Sequence, residues 1–188
     1  MHSLSKRLLS GFLSGIIAAA SLATAHVAHA ASAQEIDIKV DAALADFREK
    51  VGGAEEFLAS SKGILVFPKV IKAGIGIGGE YGEGALRIGG KTVDYYNTAS
   101  ASIGFQLGAQ AKTVIIVFMQ QEALDKFRNS AGWEVGVDGS VALVELGAGG
   151  SIDTNNIRDP IVGFIFGNKG LMYNLTLEGT KITKLDKS

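Results

Sequence analysis

The sequence predicts an α+β fold that is mainly β, with an antiparallel β-barrel-like core and about three helices packed on its outside. From residue 63 onward, short apolar segments alternate with glycine-rich turns, which is typical of antiparallel strands. Before that point, and again near residue 125, apolar residues recur three and four positions apart, which indicates helices. The 188 residues include 25 glycines but only 2 prolines, so we expect glycine to make most of the turns.

The helices are predicted over residues 36–51, 54–61 and about 121–129. The first helix has one apolar stripe, and the pair Gly52-Gly53 ends it. The residues of this stripe are Ile36, Val40, Leu44, Phe47 and Val51. Because the opposite face of the helix is net acidic, we expect the stripe to pack on the sheet rather than on an anionic membrane.

The strands are predicted near residues 63–71, 73–80, 84–89, 92–97, 100–110, 113–119, 133–138, 140–147, 161–167, 170–178 and 180–185. The segment 113–119 is apolar throughout and 161–166 is similar, so we expect both to be covered on both faces. Gly74, Gly76 and Gly78 alternate along one face, which favours tight curvature of the strand or a helix lying directly on its backbone.

The N-terminus has the pattern of a cleavable signal peptide. Lys6 and Arg7 precede an apolar stretch over residues 8–25, and two small-x-small cleavage sites follow, at 28–30 and 31–33. We take residues 1–33 as the leader and 34–188 as a single domain. This leader predicts a periplasmic or secreted protein of a bacterial envelope.

The composition excludes several classes of function. All three histidines (His2, His26 and His29) lie in the predicted leader, and the chain has no cysteine. A mature chain without either residue excludes Ser-His-Asp and Cys-His nucleophiles and the usual zinc sites. The formal net charge is −1 and becomes more negative when Lys6 and Arg7 are removed, which disfavours nucleic-acid binding. The sequence predicts neither a cofactor nor a metal site.

Two glycine-rich strings look like nucleotide-binding motifs. Residues 85–92 fit a relaxed Walker A pattern, and residues 74–79 fit GxGxxG. Both motifs require a helix after the glycine-rich loop, whereas both strings here are followed by β-like sequence. We therefore predict a hairpin turn at Gly89-Gly90 and no nucleotide.

Two sets of acidic residues suggest chemical sites. Glu80 and Glu83 are spaced like a carboxylate pair for a hydrolase, although a turn with two solvated acids is favoured. The acids that resemble calcium ligands are Asp138, Asp153 and Asp159. Their spacing is too loose for a calcium loop, which favours turn and capping roles.

Basic residues near the glycine-rich backbone of residues 62–92 suggest a site for an anionic headgroup. The candidate lipid-binding residues are Lys69, Lys72, Arg87 and Lys91. The loops near Gly82 and Gly90 are the predicted contact surface.

Four ordered blocks resemble the SYLF domain family over about residues 41–185. The blocks are FPKVxKAG, GGEYGEG, SxGxQxGAQ and GWEVG. The resemblance implies a β-barrel core with surface helices, binding of phosphoinositides and other anionic lipids, and no established catalysis. In a bacterial envelope, phosphatidylglycerol, cardiolipin or a lipopolysaccharide phosphate would replace the phosphoinositide.

The prediction is an exported, non-catalytic domain that binds anionic lipids weakly at a membrane surface. The alternative is a structural or protein-interaction module of the cell envelope, whose protein partner the sequence does not identify.

Overall fold

The computed structural model describes residues 31–104, 109–144, 152, 158–167, 170–171 and 176–187, which contain three helices and eight strands. The helices are α1 (Ala33–Lys50), α2 (Ala54–Ala59) and α3 (Gln121–Asn129). The strands are β1 (Gly63–Ile88), β2 (Lys91–Gly104), β3 (Ala109–Phe118), β4 (Trp133–Glu134), β5 (Ala142–Leu143), β6 (Ile161–Gly167), β7 (Gly170–Leu171) and β8 (Lys181–Leu185). Some of the predictions fall outside the described residues. These are most of the predicted leader, Asp153, and parts of the strands predicted at 100–110, 140–147 and 170–178.

The first helix begins three residues earlier than predicted. The Ser32 side chain accepts a hydrogen bond from the amide of Glu35, which caps the helix and explains the earlier start. The whole predicted stripe, from Ile36 to Val51, is buried. It packs on the sheet, as expected from the acidic outer face of the helix.

Strand β1 is the centre of the sheet, whose order is β4-β8-β2-β1-β3-β6-β5, with β7 paired to β6. It forms an antiparallel hairpin with β2, and Gly89 and Gly90 of the connecting turn both have positive φ. The hairpin predicted at this position is confirmed. The three strands predicted over 63–71, 73–80 and 84–89 are one continuous strand, because Lys72 and residues 81–83, which lie between the predicted strands, keep an extended and paired backbone.

This strand changes its pairing partner near its middle and curls back on itself. Ala73 pairs with Ala109 of β3, whereas Gly76 already pairs with Gly104 of β2. Farther along the strand, a Cβ on Gly82 would lie 2.8 Å from the carbonyl oxygen of Lys69, in the first half of the same strand. The two halves of β1 therefore face each other, and the sheet is a half-barrel.

Apolar clusters cover both faces of the sheet. The outer cluster joins α1 and α2 to β3 and β6, with the Phe47 and Phe164 rings 4.9 Å apart. The inner cluster places α3 inside the curl, with the Phe118 and Phe127 rings 5.0 Å apart. Alternate residues of β3 and β6 enter the two clusters, so both strands are covered on both faces as predicted.

The predicted fold class is confirmed, since strands dominate and the helices pack against one curled sheet. The helices α1 and α2 lie outside as predicted, whereas α3 lies on the inner face, because the open half-barrel needs apolar side chains to fill it. Among the described helices, none has both the length and the hydropathy of a membrane-spanning segment.

Candidate functional site

A cleft of about 410 Å³ opens where α1 and α2 meet the start of β1 and the β1–β2 hairpin. Its floor is apolar, with Leu44, Leu58 and Ile64. Its charged lining residues are Asp41, Arg48, Glu55, Lys62 and Arg87. Three cations therefore face two carboxylates, which leaves the cleft with a small positive excess.

Arg87 forms one wall of this cleft and fixes α1 to the hairpin. Its guanidinium donates to Asp41 at 2.7 Å and to the carbonyl oxygen of Asp37 at 3.3 Å. The side chain is only 12% exposed, so most of it is shielded from solvent. Arg87 thus holds the helix against the sheet, and its charge is already matched by carboxylates.

Asp37 receives two further hydrogen bonds from β2. The hydroxyl of Thr92 donates to it at 2.6 Å, and the hydroxyl of Tyr95 donates at 2.9 Å. Burial, followed by the hydrogen bond and the negative charge of Asp37, raises the pKa of Tyr95 above its usual value, against a smaller opposing effect of Arg87. This network ties the start of α1 to β2 near the cleft.

The front of the cleft is more open. Lys62 is exposed, and its side chain makes no hydrogen bond or ion pair with any described residue. Gly89 and Gly90 line the same opening, and no atom lies within 4 Å of where a Cβ would stand on either residue. The turn backbone and one free ammonium group are therefore accessible together.

A second group of charges lies inside the half-barrel. Glu80 accepts from Lys112 at 2.6 Å and lies 3.4 Å from Lys72. The Glu80 side chain is 13% exposed and Lys112 is 9% exposed. Two ammonium groups that share one carboxylate join β3 and both halves of β1, which indicates a structural role.

Glu83 lies on the outer face of β1, whereas Glu80 points inward. Glu83 accepts from the Tyr81 hydroxyl at 2.9 Å and from Lys187 at 3.0 Å. Burial, then the hydrogen bond and the charge of Glu83, raise the pKa of Tyr81 to about 12. Because the two glutamates project from opposite faces of one strand, they do not form the carboxylate pair of a hydrolase site.

The four predicted lipid-binding residues do not form one patch. Lys69 and Lys91 are exposed, and their side chains make no hydrogen bond or ion pair with a described residue. Lys72 and Arg87, by contrast, are paired with carboxylates. The backbone of Lys69 lies against Gly82, whereas Lys91 pairs with Ile88. Gly82 and Ile88 are six positions apart on β1, which corresponds to roughly 20 Å along the strand.

The sequence prediction of the site also missed two residues of the cleft. Arg48 was not singled out, because its place on a surface helix resembles an ordinary solvated charge. Lys62 was not among the predicted lipid-binding residues, because its position before the first strand resembles a solvated charge as well. Only the packing of α1 and α2 beside the hairpin brings these two residues to the same opening.

Two of the acids that resemble calcium ligands, Asp138 and Asp159, lie among the described residues. The carboxylate of Asp138 accepts from the amide of Glu134 at 2.7 Å, which is the turn role that was favoured. Asp159 is exposed. Within the described ranges, no three acidic or histidine residues are close enough to hold a metal ion.

The family comparison covers the C-terminal half of the chain. Residues 99–188 match the family model described as Ysc84, Las17-binding protein actin regulator. No curated protein matches the chain. The matched segment begins within β2 and contains the GWEVG block, while FPKVxKAG and GGEYGEG precede it. Because β1 lies between β2 and β3, the matched segment builds its sheet together with residues that precede the match.

Proposed function

We propose that this chain is an exported, non-catalytic domain of the SYLF family, whose model matches residues 99–188, and that it binds anionic lipid headgroups. The binding surface is the cleft between α1, α2 and the β1–β2 hairpin, together with the tip of that hairpin. The proposal places the protein at the periplasmic or outer side of a bacterial membrane, delivered by its N-terminal leader.

One observation carries this proposal: the free ammonium of Lys62 and the accessible Gly89-Gly90 turn share an opening above an apolar floor. A phospholipid has the same division, with a phosphate in its headgroup on one side and apolar acyl chains on the other. Ammonium groups and exposed turn backbone suit phosphate oxygens, and the aliphatic floor suits the first carbons of the chains.

Lys91 adds a second free charge at the same end of the molecule. It pairs with Ile88 beside the turn and does not line the cleft itself. A headgroup in the cleft would bring the hairpin tip to the membrane surface, where Lys91 meets neighbouring headgroups. Each such cation contributes about 1 kcal/mol at an anionic surface, so we expect weak, salt-sensitive binding.

Vesicle co-sedimentation tests the proposal. The protein should sediment with phosphatidylglycerol vesicles at low salt, and the bound fraction should fall as salt is raised, because screening weakens the attraction. It should not sediment with phosphatidylcholine vesicles. Equal binding to both lipids, or binding unaffected by salt, would overturn the electrostatic proposal.

Charge variants locate the surface. Lys62→Ala and Lys91→Ala should each weaken binding to phosphatidylglycerol by about fivefold, which corresponds to about 1 kcal/mol. Lys126→Ala is the matched control, since Lys126 is exposed on α3, at the other face of the sheet, and its removal changes the net charge equally. A control that weakens binding as much as Lys62→Ala would show that general charge, rather than this cleft, determines binding.

The protein-interaction alternative predicts a different result in the same experiment. Sedimentation would stay at background for every vesicle, while crosslinking of intact cell envelopes would capture a stable protein partner. That combination would favour the interaction module over the lipid-binding domain.

A further inference from the structure

We propose that the cleft selects lipids whose phosphate is a diester, and that the carboxylates of Asp41 and Glu55 make it disfavour phosphomonoesters. This inference rests on the proposed function, because it specifies which class of anionic lipid the same cleft binds. A phosphodiester carries a single negative charge, whereas a phosphomonoester carries about 1.5 to 2 negative charges at pH 7. The net charge of the cleft and the exposure of its carboxylates distinguish the two classes.

The net charge of the cleft matches a single negative charge on the ligand. Arg87 is paired with Asp41, and Arg48 is paired with Glu55, so the charges of these two arginines are already neutralised. Lys62 lines the same cleft, and its side chain makes no hydrogen bond or ion pair with a described residue. A diester phosphate beside Lys62 leaves the lining neutral, whereas a monoester adds negative charge that no free cation among the described lining residues balances.

The carboxylates of Asp41 and Glu55 are open to a ligand, because both side chains are 69% exposed although each is paired with an arginine. A carboxylate has about four acceptor positions, more than one arginine contact uses. The hydroxyl groups of a glycerol headgroup, which lie beyond the phosphate of a diester lipid, can therefore donate to them. A terminal monoester phosphate has no such hydroxyl groups, and the carboxylates would repel its second charge.

Glu55 is the residue that tests this selectivity. Its ion pair with Arg48 lies at the surface, so removing its charge should have little effect on the fold. Glu55→Gln removes one negative charge from the lining, which should strengthen binding of a phosphomonoester about threefold more than binding of a phosphodiester. Glu56→Gln is the matched control, because Glu56 is the next residue of α2, is also exposed and does not line the cleft.

Titration of the protein with soluble short-chain lipids measures the selectivity without the charge of a membrane surface. Dihexanoyl phosphatidylglycerol and dihexanoyl phosphatidic acid have the same acyl chains, but the first is a phosphodiester and the second is a phosphomonoester. The unchanged chain should bind the phosphatidylglycerol about threefold more tightly, although the phosphatidic acid carries more negative charge. This preference should disappear in Glu55→Gln and persist in Glu56→Gln.

The free headgroup separates a lipid from a soluble phosphodiester. Glycerophosphoglycerol lacks the acyl chains and leaves the floor of Leu44, Leu58 and Ile64 uncovered, so it should bind more weakly than dihexanoyl phosphatidylglycerol. Equal binding of the two would contradict the assignment of the cleft to a lipid.

The remaining outcomes separate this inference from the proposed function. Equal binding of the two dihexanoyl lipids by the unchanged chain, or tighter binding of the phosphatidic acid, would overturn the inference and leave the proposed function intact. Binding of neither lipid, together with background sedimentation on phosphatidylglycerol vesicles, would overturn both. An equal change of selectivity in Glu55→Gln and Glu56→Gln would assign it to the overall charge of the protein and contradict the role of Glu55.

Discussion

The ammonium of Lys112 lies 2.6 Å from the carboxylate of Glu80, across the inside of the half-barrel. Lys112 is on β3, whose described pairing with β1 involves only the first half of β1. Glu80 is on the second half, which pairs with β2. This ion pair therefore bridges parts of the sheet that no backbone hydrogen bond joins directly. Lys72 shares the same carboxylate at 3.4 Å.

Glu80→Gln should lower the free energy of unfolding by about 3 kcal/mol, because it leaves two shielded ammonium groups without a counter-charge. Urea denaturation measures this change. Glu122→Gln is the control, since Glu122 is exposed on α3, and we expect a change within about 0.5 kcal/mol. Adding Lys112→Met to Glu80→Gln should recover part of the loss, and a double variant less stable than Glu80→Gln would contradict the assignment.

Gly84→Ala should destabilise the fold by at least about 3 kcal/mol, because the added methyl group would overlap the carbonyl oxygen of Val66 and lie 2.8 Å from the Phe67 ring. Gly79→Ala is the matched control on the same strand, since its nearest neighbour would be 3.6 Å away, an ordinary contact. Thermal unfolding of both variants tests whether close approach of the two halves of β1 explains the glycine. Similar melting temperatures for the two variants would exclude that explanation.

Arg87→Ala should lower stability by about 2 kcal/mol, because the mostly buried guanidinium bonds the start of α1 to the hairpin at Asp37 and Asp41. Lys91→Ala, four residues away, should leave stability within about 0.5 kcal/mol and instead weaken vesicle binding. Parallel denaturation and sedimentation assays separate the two roles. A stable Arg87→Ala protein that has lost only its vesicle binding would show that Arg87 serves the ligand rather than the fold.

Two adjacent tyrosines should respond oppositely to the loss of a hydroxyl. Tyr95→Phe removes the hydrogen bond to Asp37 and should cost about 1 kcal/mol. Tyr96→Phe removes a buried hydroxyl that has no partner among the described residues, so its stability should be unchanged or higher by up to about 1 kcal/mol. Calorimetry of the two variants makes the comparison, and a larger loss from Tyr96→Phe would mean that its hydroxyl has a partner in solution.

Stability should decline as the pH rises from about 10 toward 12. Burial, followed by the charge of Asp94 and against that of Arg128, raises the pKa of Tyr96 to about 12, whereas an unfolded tyrosine titrates near 10. In that range the folded chain keeps a proton that the unfolded chain has lost, so stability falls with rising pH. Urea denaturation at several alkaline pH values should show a shallower decline for Tyr96→Phe than for the unchanged chain. Parallel declines would show that Tyr96 does not contribute.

Much of the fold could be predicted because its signals are local. The spacing of Leu124 and Phe127, with Gly132 close after them, predicts α3 at its observed bounds, and the Gly89-Gly90 pair predicts the hairpin. The continuous β1 was predicted as three strands, in part because a glycine such as Gly82 looks the same in sequence whether it ends a strand or lies within one.

The candidate site was predicted only in part, because charge placement along a sequence does not identify each cation's partner. Arg87 was a reasonable choice by type, yet its carboxylate partner Asp41 lies 46 residues earlier. Lys62 lines the cleft, while Lys69 lies seven residues farther along the chain, against Gly82.

The sequence by itself determined the helices, the hairpin, the mainly β fold class and the exclusion of cysteine chemistry, since each depends on composition or on residues a few positions apart. The tertiary structure decided which glycines allow the two halves of β1 to meet, which cations are already neutralised, and what Ala31 and Ser32 contribute to the start of α1. Those features depend on contacts between residues far apart in the chain, such as Lys187 and Ala31, and a contact of that kind exists only once the sheet has curled and the helices have packed.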